Sequence, residues 1–399
     1  MNIGKQLLSL MLGGGLAVAA SADFEREELD LAPGLRVSPE LRAAYLSDSN
    51  FYFSGSDEKS VNGAVVSPGI KIQSNTVRSR LVVGALAEGG FFDSGSEDDY
   101  VDSHIYGRYS YRGGTRHRFF LGVAGKDEHD AFGRRRTEGT SLRSQELDEY
   151  DQAVGNLSYR YGARDAYFNL ELDLNYIDRE YTTNRDLGTR FLDHDAFGQA
   201  ATLYFNASPK TALLFKLGNR DIEYGEVRPG SRDRSANEGR VTVGAEWIAS
   251  GKTTGRFLVS RVDRDPDSAG FETFSAVGWA ANLQWTPRIT TTINLTTARE
   301  TEESFLTNSS FIDTKTISVS WSQQWSRIFS TNVGSTYSDR DFEDINREDD
   351  TVAFAVGGTL QVSKTIDVFA KYQYLDRDST IFQRIYEKNI AQIGFQYRR

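Results

Sequence analysis

The histidines are the first residues to consider for catalysis or metal binding. His194 lies between Asp193 and Asp195, which makes it the best available partner for a hydrolytic nucleophile. A solvated loop histidine explains the same pattern more simply. The spacing of the histidines does not build a metal site, and the chain has no cysteine for thiolate ligation or disulfides. We therefore expect no enzyme activity, no cofactor and no metal. The histidines are His104, His117, His129 and His194.

Two acidic runs resemble cation-binding loops only in composition. Residues 263–267 read Asp-Arg-Asp-Pro-Asp, and residues 339–341 read Asp-Arg-Asp. Both lack the glycine and the distal glutamate of a calcium loop. No glycine pattern for nucleotide binding lies between a strand and a helix. We interpret these runs as solvated loops and expect no nucleic-acid partner.

Most charged residues outside the loops occur in segments where apolar and polar residues alternate. The clearest segment is 168–176, where Phe, Leu, Leu, Leu and Tyr alternate with Asn, Glu, Asp and Asn. Successive side chains of a β-strand point to opposite faces, so a period of two predicts a strand with one apolar and one polar face. Eighteen such spans follow one another, from 35–45 to 390–397.

The links between these spans alternate in length. Tight links such as Gly113-Gly114 and 208–210 follow the even-numbered spans, whereas links such as 127–148 and 177–194 follow the odd-numbered ones. Bacterial outer-membrane barrels have an even number of strands, short periplasmic turns and long extracellular loops. We therefore predict an all-β, antiparallel transmembrane barrel of about eighteen strands in the outer membrane of a Gram-negative bacterium.

The first residues have the composition of a secretory signal peptide. Lys5 precedes the apolar run 7–20, and the small residues Ala20 and Ala22 precede an acidic segment. We predict cleavage between Ala22 and Asp23. The predicted organisation is a signal peptide at 1–22, a periplasmic leader at 23–33 and the barrel at 34–399.

Several stretches resemble the putative β-barrel porin 2 family, whose members are often encoded beside exopolysaccharide and capsule genes. The resemblance rests on residues 48–50 (Asp-Ser-Asn), 66–69 (Val-Ser-Pro-Gly), 255–261 and 372–379, and it covers essentially the whole mature chain. It implies an outer-membrane β-barrel associated with polysaccharide export. The Arg398-Arg399 pair after Tyr397 departs from the aromatic terminus of many outer-membrane proteins.

The charged residues of the strands indicate what the lumen contains. A charge on the lipid face near the midplane costs about 2–4 kcal/mol, so strand charges should point inward. The loops take most of the acidic residues, and the strands and tight turns keep a basic excess. Glu40 and Asp367 are also predicted to point into the lumen. The predicted pore-lining residues are Arg36, Arg42, Lys71, Arg78, Arg80, Arg108, Arg118, Arg160, Glu171, Asp173, Lys216, Glu246, Arg256 and Lys371.

This basic lumen has two interpretations. It can concentrate anions, with a funnel of Arg and Lys in the periplasmic halves of the strands. Alternatively, each arginine braces the wall by pairing with an inward acid. Three functions remain open: export of an anionic exopolysaccharide, which we favour; diffusion of small anionic or neutral solutes; and a surface adhesin or structural barrel. The expected partners are outer-membrane lipid and lipopolysaccharide, a polysaccharide or small solute, and periplasmic export components.

Overall fold

The computed structural model describes residues 29–139 and 146–399. The predicted signal peptide and the Ala22/Asp23 cleavage site lie outside these residues, and only residues 29–33 of the predicted leader lie inside them. The signal peptide and its cleavage site therefore stay predictions.

The described residues form one short strand followed by eighteen long ones, with only single turns of 3₁₀-helix in the loops. No described helix is long and apolar enough to cross a membrane. The strands are β1 Leu29–Ala32, β2 Leu35–Asp48, β3 Val61–Asn75, β4 Ser79–Phe92, β5 Tyr100–Gly113, β6 His117–Asp130, β7 Asp148–Tyr161, β8 Phe168–Tyr181, β9 His194–Ser208, β10 Thr211–Tyr224, β11 Ala236–Ser250, β12 Thr253–Pro266, β13 Phe274–Arg288, β14 Thr291–Glu303, β15 Phe311–Gln324, β16 Phe329–Phe342, β17 Arg347–Gln361, β18 Ile366–Ser379 and β19 Tyr386–Arg398.

Strands β2 to β19 form a closed antiparallel barrel. Each strand pairs with the next one along the chain, and β19 returns to pair with β2 from Ile390↔Asp48 to Arg398↔Glu40. All eighteen predicted spans are confirmed, and the links alternate in length except at β16–β17, where residues 343–346 are no longer than the turns on either side. Because closure leaves no open edge, the backbone groups within the membrane are satisfied by neighbouring strands.

The faces of β8 follow the predicted alternation. Leu170, Leu172 and Leu174 are 42%, 46% and 42% exposed on the outside of the barrel. The intervening Glu171 lies opposite Arg160, and Asp173 lies opposite Ser158 of β7, on the inner face. The apolar surface thus faces the hydrocarbon of the membrane.

The observed strands run further at the extracellular end than the sequence pattern indicated. On the outer face of β8, Tyr176 is followed by Asp178 and Glu180. Asp178 lies opposite Asp195, and Glu180 opposite Asp151. Outward carboxylates are unfavourable in hydrocarbon but compatible with the headgroup region, so these strand ends extend beyond the apolar layer.

The seam between β19 and β2 is completed by both ends of the described chain. Beyond the end of β19 on the periplasmic side, β1 pairs with the part of the β2 edge that β19 leaves uncovered, for example Leu29 with Val37. Arg398 on the inner face binds Asp367 at 2.8 Å. The Arg399 backbone N–H donates to Pro39 O at 3.2 Å. The basic pair after Tyr397 therefore extends the ladder that closes the barrel.

The topology predicts which links are accessible from outside the cell. Gly230 is exposed in the link between β10 and β11, and Gly114 lies in the turn between β5 and β6; a side chain at either meets no atom within 4 Å. An epitope tag inserted after Gly230 should bind antibody on intact cells. The same tag after Gly114 should bind only after the outer membrane is permeabilised. Labelling of the Gly114 insertion on intact cells would contradict the orientation.

Candidate functional site

The lumen is the candidate functional site, and ladder pairing determines which residues face it. Residues directly opposite in neighbouring strands share a face. Most predicted pore-lining residues lie on the face shared with Glu171, although their role in permeation stays a prediction. They are Arg36, Arg42, Lys71, Arg80, Arg108, Arg118, Arg160, Glu171, Asp173, Lys216, Glu246, Arg256 and Lys371.

Arg78 requires a correction, because it is not part of the barrel wall. β4 begins only at Ser79, and the exposed Arg78 lies in the preceding turn. The Oγ1 of Thr76 accepts the Ser79 backbone N–H at 2.9 Å and holds this turn. The alternation of charges at Arg78 and Arg80 suggested a strand, but the local hydrogen bond of Thr76 stabilises a turn instead.

Several inward basic residues were missed by the sequence analysis, two of them near the periplasmic end. Arg112 lies opposite Arg118, beyond the predicted end of its span. Arg398 lies opposite Glu40 at the seam. Arg112 keeps the parity of Arg108, so an extension of the span by one residue would have found it.

One group of lumen charges braces the wall. Arg118 donates to Asn169 Oδ1 at 2.6 Å and to the Gly162 carbonyl at 3.1 Å. Arg160 lies 3.8 Å from Glu171 and 3.7 Å from the centre of the Tyr204 ring. Arg160 is therefore paired with an inward acid as the bracing interpretation requires, whereas Arg118 is held in place by neutral acceptors.

A second group has weaker local compensation. Lys71 lies opposite Ser38 and Gly84, and Lys371 lies opposite Gly357 and Gln392, all uncharged. Arg42 reaches Gln392 only at 3.5 Å. These cations are available to an anion in the lumen.

The remaining arc of the wall is polar but uncharged over its periplasmic half. It is formed by β13 to β17 and lined by hydroxyl and amide side chains, some of which bond across strands, as Ser318 does to Thr336 at 2.8 Å. The lumen thus has a charged arc and a neutral arc. The neutral residues are Asn282, Thr292, Asn294, Thr296, Ser318, Ser320, Ser322, Asn332, Thr336 and Thr359.

The extracellular end of the lumen contains an apolar cluster built from opposite walls. Tyr150 and Tyr181 of β7 and β8 belong to the same buried cluster as Phe305, Ile312 and Phe342. β7 and β16 lie on opposite sides of the ring of strands. The loops therefore fold inward and meet over the lumen.

The described part of the β6–β7 link, residues 131–139, also crosses the mouth. Its buried Glu138 binds Arg347 at 2.7 Å and Arg384 at 2.5 Å, and it binds Arg377 as well. These arginines belong to β17, β18 and the β18–β19 link. Sequence reasoning placed Glu138 in a solvated loop, and no local pattern identifies arginine partners more than 200 residues away.

Burial changes the ionisation of loop groups at this mouth. It lowers the pKa of Arg384, which the nearby carboxylate of Glu138 opposes. It also raises the pKa of Asp193, even though Asp193 accepts the Tyr181 backbone N–H at 2.7 Å and pairs with Arg185. Both shifts express the cost of removing charge from water.

A further ionic contact lies under the mouth between β12 and β14. Arg264 is fully buried and binds Glu303 with both terminal nitrogens, at 3.0 and 3.1 Å. The hydroxyl of Tyr224 donates to the same carboxylate at 3.0 Å. A doubly bonded Arg–carboxylate pair with an added hydrogen bond compensates the desolvation of both charges.

This arrangement can select and hold solutes, but the described residues contain no group of three or more metal-ligating side chains. The Nδ1–H of His194 donates to the Leu192 carbonyl at 2.9 Å, and His194 is one of the residues at the mouth. The suggested hydrolytic arrangement around His194 is not assembled within the described residues, since Asp193 is bound to Arg185 and the Tyr181 N–H instead.

Comparison with known sequences gives one family. Residues 35–399 match the family described as Putative beta-barrel porin 2. No curated protein matches the chain in sequence.

Solved structures of outer-membrane proteins are similar in fold. OccK3 (OpdO) of Pseudomonas aeruginosa is 13% identical over 93% of this chain and 97% of its own, with a TM-score of 0.48. OccAB3 of Acinetobacter baumannii is 12% identical over 92% of this chain and 100% of its own, with a TM-score of 0.48. At these identities and TM-scores the similarity says nothing about the solute.

The assignment of faces can be checked directly in this cysteine-free chain. A single cysteine at Asp173 should react with a water-soluble thiol reagent in the membrane, whereas one at Leu172 should not, because it faces hydrocarbon. Mass spectrometry of the labelled protein measures both. Reaction at Leu172→Cys but not at Asp173→Cys would show an inverted register.

The Arg264–Glu303 contact should contribute strongly to stability. Glu303→Ala leaves the fully buried guanidinium of Arg264 with Glu238, 3.9 Å away, in place of its doubly bonded partner, and should lower the free energy of unfolding by about 3–5 kcal/mol. Replacement of both residues by leucine should cost much less. Urea unfolding in lipid vesicles measures the difference, and equal losses in the two variants would contradict the buried-pair account.

Proposed function

Because the chain belongs to the Putative beta-barrel porin 2 family, we propose that it carries an anionic exopolysaccharide out of the cell. The family and the closed barrel make the chain a porin-like channel of the Gram-negative outer membrane. The chemistry of the polymer is inferred from the lumen.

The observation that carries this proposal is the basic excess on the inner wall near the periplasmic end. Arg36, Arg80, Arg108 and Arg112 are exposed there on β2, β4 and β5. We call these four residues the periplasmic basic rim. A polymer with repeated carboxylates would gain from each cation in turn, although salt screens the field beyond about 8 Å.

The neutral arc supports a carbohydrate rather than a simple inorganic anion. Hydroxyl and amide groups can both donate and accept hydrogen bonds, as sugar hydroxyls do. Side chains such as Asn294, Ser320 and Asn332 line this arc without a compensating charge. A chain of acidic sugars would meet cations on one side and hydrogen-bonding groups on the other.

A diffusion porin for small anionic or neutral solutes is the second candidate. Loops that meet over the lumen, as at Phe305 and Tyr181, narrow a channel and suit small solutes. The same inward folding argues against an adhesin, which requires loops that project outward. Lipid and lipopolysaccharide around the barrel, and periplasmic export components at the basic rim, belong to the proposal as partners.

Anion selectivity is the first expected result of this proposal. In planar bilayers under a salt gradient, the reversal potential should show preference for anions. Changing Arg36, Arg80 and Arg112 together to Glu should shift the preference towards cations, because it reverses the charge of the rim. Arg327→Glu is the matched control, since Arg327 is exposed in the turn below the neutral arc.

The transport of polysaccharide can be tested in cells. A deletion strain should lose secreted acidic polysaccharide while uptake of small solutes stays nearly unchanged, and the triple-Glu variant should restore secretion poorly. Cation preference of the unmodified channel would remove the electrostatic argument. Normal secretion with slower solute uptake would favour the diffusion porin.

A further inference from the structure

The contact of Glu138 with Arg347, Arg377 and Arg384 joins opposite sides of the extracellular mouth. We call these four residues the mouth clasp. Glu138 is 6% exposed and Arg347 is 1% exposed, so water screens the contact little. The pairing is the main polar attachment of segment 131–139 to β17 and β18.

Positive charge is in excess within the mouth clasp. Asp349, the other carboxylate in contact, accepts from Arg347 at 3.0 Å and also from Ser379 at 2.7 Å. Two carboxylates thus face three guanidinium groups. Among the described residues, Nη1 of the buried Arg347 has no hydrogen-bond partner. Arg347 therefore retains a hydrogen-bond donor for an anion.

We propose that Arg347, Arg377 and Arg384 form a binding site for a carboxylate-bearing solute, and that Glu138 occupies this site from within the chain. A solute carboxylate presents the same group to the same guanidinium nitrogens. When it replaces Glu138, segment 131–139 loses its ionic attachment to the opposite wall. The site then couples the arrival of an anion to the opening of the mouth.

The affinity of such a site follows from competition with Glu138. A tethered competitor has an effective concentration on the order of millimolar. A single carboxylate must therefore reach a comparable concentration, whereas a solute with several carboxylates can displace Glu138 at lower concentration. The displacement of Glu138 takes place at the mouth alone and does not depend on polymer export.

The test uses citrate as the probe in planar bilayers, added on the long-loop side. The unmodified channel should gain conductance with citrate, with half the effect at a concentration on the order of millimolar, relative to chloride at equal ionic strength. Glu138→Gln should conduct severalfold more without citrate and respond little to it. Glu58→Gln, an exposed loop change, should behave like the unmodified channel.

A reversible cross-link provides a second variant that keeps the mouth clasp intact. A Cβ built on Gly139 lies 3.4 Å from Gln383 Cβ, close to the separation of a disulfide. The oxidised Gly139→Cys/Gln383→Cys protein should show low conductance and no citrate response, and reduction should restore the response. A cysteine at residue 139 has the same left-handed backbone in the oxidised and the reduced protein, so its strain does not affect the comparison of their conductance.

The outcomes separate this inference from polymer export. Unmodified conductance in Glu138→Gln, in protein whose heat-modifiable migration shows a folded barrel, would overturn it. A fall of current with citrate, or a citrate response that persists in the oxidised cross-linked form, would also overturn it. Cation preference with a retained citrate response would reject the export proposal and leave the mouth site standing.

Discussion

The structure depends on one constraint: backbone polar groups inside the hydrocarbon must find partners within the protein. Eighteen strands satisfy it only when the ladder closes, which occurs where β19 meets β2. β1 and Arg399 continue that seam beyond the main ladder, at Val37 and Pro39. Closure then fixes the parity of every strand, and parity decides which side chains meet lipid and which meet the lumen.

The sequence was informative where the two faces of a strand have different solvents. Leu170, Leu172 and Leu174 meet lipid while Glu171 and Asp173 meet the lumen, so their alternation identified the strand and its register. Beyond Tyr176 the outer face carries Asp178 and Glu180, and Ile177 and Tyr181 face inward, so the apolar face no longer lies outside although hydrogen bonding continues to Tyr181. Strand number and orientation were therefore predictable, and the extracellular strand ends were not.

The lumen was only partly predictable for a different reason. Parity gives the direction of a side chain but not its partner, so the sequence left open whether Arg118 and Arg160 are free or brace the wall; Asn169, Glu171 and Tyr204 contact them. Contacts across the mouth are even harder to predict from the sequence. Glu138 contacts Arg347 across the barrel, whereas charge composition alone assigns both residues to solvated loops.

The seam also determines how the barrel is assembled in time. Every other ladder joins consecutive strands, so those pairs form as local hairpins at small sequence separation. The seam brings together residues such as Arg42 and Gln392, which are 350 positions apart. The entropy of closing a loop rises only slowly with its length, but such a contact is rewarded only after the intervening strands are in register. We therefore expect closure to be the last step of folding, and until it occurs β2 and β19 present open edges that can recruit strands of another chain.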